Sequence, residues 1–200
     1  MAATARGLDR PKIDRRKAPA TKARILDAAE ALFARRGFHA VSLRDIAQKA
    51  GVQLALSHYH FGSKDDLFRA VVDRRADDNV RGLRQALDRA IAASADTPPK
   101  LEAILRAFIE PIFARARHGG EGWKNYVQLL AQVANQPQNE AFQTPVNAHY
   151  DSVVRDFVAQ IRRALPHLAA ADVHWGFYFL QAAITHALLE TGVVDRQSDG

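Results

Sequence analysis

Two histidines and a tyrosine crowd into one stretch of the chain, "GVQLALSHYHFGSKDDLF" (residues 51–68): His58, Tyr59 and His60, with Lys64, Asp65 and Asp66 just beyond. Histidines so placed can ligate a metal, move a proton, or hydrogen-bond to another molecule. A helical metal pair needs i, i+4 spacing, which puts both rings on one face. His58 and His60 are i, i+2 and diverge, and no carboxylate shares their face. No Ser, Cys or carboxylate is placed to pair with either ring as a nucleophile and base would be. The sequence therefore predicts no metal site, no catalytic residue and no cofactor. Contact with another molecule's surface is what remains.

The surrounding elements read as helices. Ile25, Ala28, Ala29, Leu32 and Phe33 fall at i, i+3, i+4, i+7 and i+8, one buried stripe. Thr21 can cap that helix, and Gly37 stops it. In "VSLRDIAQKAG", Ser42 and Asp45 have the spacing of a capping box, with Val41 and Ile46 as a hydrophobic staple. Gly51 ends this short helix, and a very short one runs on to about Tyr59. Ser63 and Asp66 form a second capping box and open a fourth helix. Two short helices joined by a glycine-containing turn are a helix-turn-helix outline.

Charge sharpens the outline. The net charge is +6, and residues 1–70 hold 14 Lys/Arg against 7 Asp/Glu, whereas residues 71–200 hold 14 against 15. A basic first third joined to a near-neutral remainder fits a polyanion partner for the former; a basic tail on an ordinary domain gives the same count. Residues 1–20 lack periodicity and carry Pro11 and Pro19, so they read as a basic disordered arm. Cysteine is absent, which excludes disulfides and thiolate metal sites and suits a reducing cytoplasm. The longest apolar run, Trp175 to Leu189, is too short to span a bilayer, and the first residues lack a leader's apolar segment. No membrane association is expected.

Beyond residue 71 every periodic segment is helical and no period-two strand pattern occurs. Thr97 reads as a cap before Pro98 and Pro99, Thr144-Pro145 as a helix start, and Asp172 as the cap of a last helix that is apolar nearly all round. The fold class expected is all-α, a small N-terminal three-helix domain followed by a larger helical domain.

Three quoted pieces, "ILDAAEALFARRGF", "VSLRDIAQKAGV" and "HYHFGSKDDLF", lie in an order and spacing that resemble the DNA-binding domain of TetR-type transcriptional regulators. The resemblance runs from Thr21 to Phe68. It implies a DNA-binding domain at 21–68 and a ligand-binding and dimerisation domain at 69–200. It implies a homodimer on a double-stranded DNA operator, usually as a repressor released by a small molecule. The recognition helix would be Gln53 to Tyr59. Gln53 can reach adenine, Leu54 and Ala55 can meet thymine methyls, and Ser57 and His58 suit base or phosphate. The family's phosphate-contacting positions correspond to Ser42, Arg44, Tyr59 or His58, His60 and Lys64. Gln53, Ser57 and His58 depart from the common pattern of serine at 53 and an apolar residue then tyrosine at 57–58.

For the second domain the resemblance implies a pocket for a small hydrophobic or aromatic effector. Candidate lining residues are Phe108, Trp123, Tyr126, Gln128, Tyr150, Trp175 and Phe179, although aromatics at helical spacing are also ordinary core. An architectural DNA-binding protein with a collapsed second domain and no effector is the alternative.

Overall fold

A computed structural model describes residues 18–94, 97–135 and 140–189. Among these residues there are eight helices and no strand. Most of the arm expected at 1–20 lies outside them; its last residues, from Ala18, already belong to α1. The order is α1 (Ala18–Arg36), α2 (Leu43–Ala50), α3 (Leu54–Phe61), α4 (Lys64–Ala92), α5 (Leu101–His118), α6 (Gly120–Ala134), α7 (Glu140–Ala164) and α8 (Ala170–Leu188). No helix among the described residues is long and apolar enough to cross a membrane.

Both capping boxes form. Ser42 Oγ accepts from the Asp45 amide at 3.1 Å while the Asp45 carboxylate accepts from the Ser42 amide at 2.9 Å. Ser63 and Asp66 repeat the arrangement at the start of α4. Those bonds from the serines hold both aspartates below the usual carboxylate range. Gly51 ends α2 at φ +63°, in the left-handed region that a side chain rarely adopts. The staple residues Val41 and Ile46 are both buried.

Other helix starts differ from the sequence reading. Residues 97–100 precede α5, so Thr97 does not cap its first turn, and Lys100 is the cap position. α7 begins at Glu140 and carries Pro145 inside it. α8 is entered from Ala169, which places Asp172 in the first turn, where its charge favours the helix dipole.

Two apolar cores share α4. The first gathers Ile25, Leu32, Phe33, Val41, Ile46, Phe61, Leu67 and Phe68 from α1 to α4, together with Leu129 and Val133 of α6. Phe33, Phe38 and Phe68 form a ring trio with centroids 5.3–5.6 Å apart. The second gathers Leu83, Leu87, Ile104, Phe108, Val127, Phe157, Val173, Phe177 and Ile184. Because α4 is one continuous helix, the boundary expected at 68–69 falls inside a rod, with no linker there.

Polar contacts reinforce that junction. Arg75 of α4 donates to Glu30 of α1 at 2.9 Å, and Arg74 pairs with Asp27. The Gln132 amide of α6 donates to the Ala34 carbonyl of α1. Burial pushes the Glu30 carboxyl above its ordinary range, and Arg75 opposes that rise. Trp123 lies between two guanidiniums, with Arg115 at 4.7 Å and Arg75 at 5.2 Å from its ring. A Cβ at Gly122 would lie 2.2 Å from the Arg75 guanidinium, so a side chain there would push that arm aside.

Candidate DNA interface and the cavity behind it

The eight residues of α3 sort by helical period into two faces. Leu54, Ala55, His58 and Tyr59 are exposed, as is Gln53 just before them. Ser57 and Phe61 are buried. Large apolar groups left in water are informative when they share a face with polar ones. Here Leu54 and Tyr59, the latter 67% exposed, flank Ala55 and His58. His58 is steadied by its own helix end: Nδ1 lies 3.0 Å from the Gly62 carbonyl. A carbonyl only accepts, so Nδ1 carries the hydrogen and Nε2 is the nitrogen left for another partner.

The turn ahead of α3 is braced from α1. Arg24 donates through Nε to the Ala50 carbonyl at 3.0 Å and through Nη2 to the Gly51 carbonyl at 2.7 Å. These are carbonyls that the end of α2 leaves unpaired. Sequence reading missed Arg24. It looked like one more exposed cation of α1, and nothing local ties it to a turn 26 positions on.

Three expected DNA contacts have their polar groups enclosed or engaged within the fold. Ser57 is fully buried, and its hydroxyl has no partner, because the period that exposes 54, 55, 58 and 59 turns 57 inward. His60 is half-buried with Nε2 shut away from solvent. Lys64 donates its ammonium to the Phe38 and Val41 carbonyls, both at 3.0 Å, and sits 4.1 Å above the Phe38 ring. It staples the α1–α2 connection. Ser42 is exposed, but its hydroxyl is committed to Asp45. Arg44, in the first turn of α2, is exposed.

Behind this unit the second core lines a half-open pocket of about 400 Å³. Asn79 and Leu83 of α4, Phe108 of α5, Val127 of α6, Tyr150 of α7 and Ile184 of α8 are among its lining residues. Of the residues the sequence reading named for a ligand site, Phe108 and Tyr150 line this pocket. Tyr126 is fully buried one step behind, its hydroxyl 3.2 Å from that of Tyr150 and 3.1 Å from the Val72 carbonyl. Burial raises both phenols above their ordinary range, so they stay protonated hydrogen-bonding groups.

Four expected lining residues are elsewhere. Trp123 is engaged by Arg75 and Arg115, and Gln128 is half-buried outside the cavity wall. Trp175 and Phe179 are about three-fifths exposed (60% and 62%), with Tyr178 beside them, on the outer side of α8. Apolarity all round α8 hid which side faces inward. Asn79 was missed because "RRADDNVRGL" reads as a solvated charged helix. Among the described residues no cluster of three or more potential metal ligands occurs.

Comparison with known proteins agrees with both halves. The family description "Bacterial regulatory proteins, tetR family" matches residues 25–71, and "Tetracyclin repressor-like, C-terminal domain" matches residues 106–200. The HTH-type transcriptional activator FasR of Mycolicibacterium smegmatis is 32% identical over 151 residues, 72% of this chain and 63% of that one. The HTH-type transcriptional repressor Rv3405c of Mycobacterium tuberculosis is 50% identical over 68 residues, 32% of this chain and 36% of the relative. The chain thus spans less than two thirds of either relative. In fold, it superposes on the ketosteroid transcriptional regulator KstR2 of Mycobacterium tuberculosis with a TM-score of 0.59 at 21% identity, covering 88% of this chain and 83% of that one. With family matches at both ends, in the order the helices require, the chain belongs to the TetR family of transcriptional regulators.

Proposed function

We propose that the chain is a homodimeric, sequence-specific DNA-binding regulator, acting in the cytoplasm, whose grip on its operator is released by a small apolar ligand. The exposed face of α3 carries this reading. Gln53, Leu54, Ala55, His58 and Tyr59 offer a mix of apolar and hydrogen-bonding groups on a helix held by two capped neighbours. Such a helix suits the major groove, where thymine methyls and base edges are read together. Arg44 at the N-terminal turn of α2 suits a phosphate.

The outer face of α8 supports the dimer. It carries Trp175, Tyr178 and Phe179, and no Asp, Glu, Lys or Arg lies between Val173 and Leu189. A second copy placing the same face against it would bury these rings by two-fold symmetry. Two recognition helices would then meet half-sites about 34–36 Å apart. A ligand that fits better in a conformer with another spacing would lower DNA affinity by its differential affinity for the two. The cavity favours this reading over a purely architectural protein, for which a collapsed second core would suffice.

Expected results separate the contacts. Tyr59→Ala and Gln53→Ala should each weaken operator binding by roughly 5- to 150-fold, and Gln53→Ala should also relax base preference at one position. Ser57→Ala should leave affinity unchanged, since its hydroxyl is enclosed. Fluorescence anisotropy on a selected DNA site reads all three; equal losses for Ser57→Ala and Tyr59→Ala would contradict the face assignment.

Lys64→Ala is a separate case. It removes two charge-assisted bonds to carbonyls and should destabilise the fold by about 1–3 kcal/mol in thermal denaturation. The salt dependence of DNA binding should not change. A log–log salt slope lower by about one would return Lys64 to the phosphate contacts.

A further inference from the structure

The positive charge of the first third is itself divided. Residues 1–17 hold Arg6, Arg10, Lys12, Arg15, Arg16 and Lys17 against Asp9 and Asp14, a net +4. Residues 18–70 hold eight Lys/Arg against five Asp/Glu, a net +3. Part of that second share is spent inside the fold: Arg24 on the Ala50 and Gly51 carbonyls, Lys64 on those of Phe38 and Val41. More than half of the basic excess therefore precedes α1, and none of the function assigned so far uses it.

The course of α1 decides what that charge can meet. Toward its end, the Ala34 carbonyl accepts from Gln132 of α6, whose neighbours Ala131 and Val133 line the pocket. Midway, Asp27 and Glu30 pair with Arg74 and Arg75 of α4. Nearer its start, Arg24 holds the turn ahead of α3. The exposed Lys22 places its ammonium 5.7 Å from the ring of Phe61, the last residue of α3. α1 thus runs from the recognition helix toward the pocket. Its first residue, Ala18, stands only about 6 Å of helix rise before Lys22. The chain enters α1 beside α3, on the side away from the second core.

We propose that residues 1–17 are a second DNA-contacting element, whose six cations engage the phosphates flanking the half-site read by α3 and add affinity without base preference. This rests on the reading of α3 as the recognition helix. With α3 in the major groove, the duplex lies where this segment leaves the fold, and phosphate contacts hold a protein in place while base contacts specify. The seventeen residues span at most about 60 Å of chain, more than the roughly 34 Å of one duplex turn.

The test uses the full chain and a full-length variant with Arg6, Arg10, Lys12, Arg15, Arg16 and Lys17 each changed to Gln, which leaves α1 and everything after it untouched. Fluorescence anisotropy is followed against salt on two duplexes carrying the sequence enriched from random DNA. One ends at the half-sites, and the other extends about ten base pairs beyond each of them, about one turn. Wild type should bind the longer duplex about tenfold or more tighter at about 100 mM salt, with a log–log salt slope steeper by about two or more. The glutamine variant should bind the two duplexes within about twofold and with equal slopes, and should enrich the same sequence. A third chain, with residues 1–17 in scrambled order, should behave as wild type, because phosphates are met by charge and not by order. Wild type indifferent to the flanks, a glutamine variant that keeps the flank preference, or a scrambled chain that loses it overturns the proposal. So does a changed base preference in the glutamine variant. Selective binding with no gain from the flanks would sink this inference and leave the regulator reading intact. Unselective binding that the glutamine variant abolishes would support this contact and sink the reading of α3.

Discussion

Arg75→Ala is expected to lower the stability of the fold by about 3–5 kcal/mol, measured by chemical denaturation. The cost arises less from the lost bond than from what is left behind. Glu30 is 1% exposed, and without Arg75 its charge is buried alone. The loss should depend on pH in a stated direction. Burial already raises the Glu30 carboxyl above its ordinary range in the folded protein, with Arg75 opposing the rise. Removing the arginine raises it further. A group raised on folding favours the folded state while protonated and loses that advantage as pH climbs through the folded value. The gap between wild type and variant should therefore narrow as pH falls toward the carboxylate range and widen as pH rises. A double change, Glu30→Leu with Arg75→Met, should recover most of the loss, because an apolar pair of similar volume carries no desolvation penalty. The pair joins α1 to α4, so a variant that stays folded should also test the proposed link between the pocket and DNA affinity.

Phe179→Arg should have the larger effect on function. A cation in the middle of the aromatic face of α8 would be repeated on the symmetric partner, setting two like charges together in a surface built of rings. Sedimentation should find monomers. Operator affinity should drop by about 10²–10⁴-fold, the advantage that a linked second half-site confers. The isolated chain should keep its helical content, because Phe179 is mostly exposed and is not a member of the inner core. A variant that remains dimeric and binds DNA normally would place the subunit contact on another surface.

How much of this was legible beforehand depended on range. Local signals were read correctly at the two capping boxes, though not at Thr97, Thr144 and Asp172, whose helices start elsewhere. Ser42 with Asp45, Ser63 with Asp66, and the glycines that end α1 and α2 all do what their spacing requires. The face of α3 was not assigned in advance, because the hydroxyl of Ser57 suited a DNA contact and only the fold turns it inward. What the sequence concealed were groups whose partners lie far along the chain. Lys64 looks like a phosphate ligand at a helix start, and only the fold brings the Phe38 and Val41 carbonyls to it. Arg24, Arg75 and Asn79 sit in charged, solvent-like contexts and find their roles across tens of residues. The aromatic set failed for another reason. A ring's type says that it will leave water but not whether it does so in the core, around a cavity, under guanidiniums as Trp123 does, or against a second copy as proposed for Trp175 and Phe179.

The central claim is that the exposed face of α3 reads a two-fold-related DNA sequence. Selection of binding sites from random duplex DNA by the full chain, at moderate salt, tests it most directly. The account predicts an enriched inverted repeat with half-site centres about one duplex turn apart, lost when Tyr59→Ala is substituted and kept with Ser57→Ala. Retention of all sequences alike, with affinity that falls steeply with salt and no enriched motif, would contradict it.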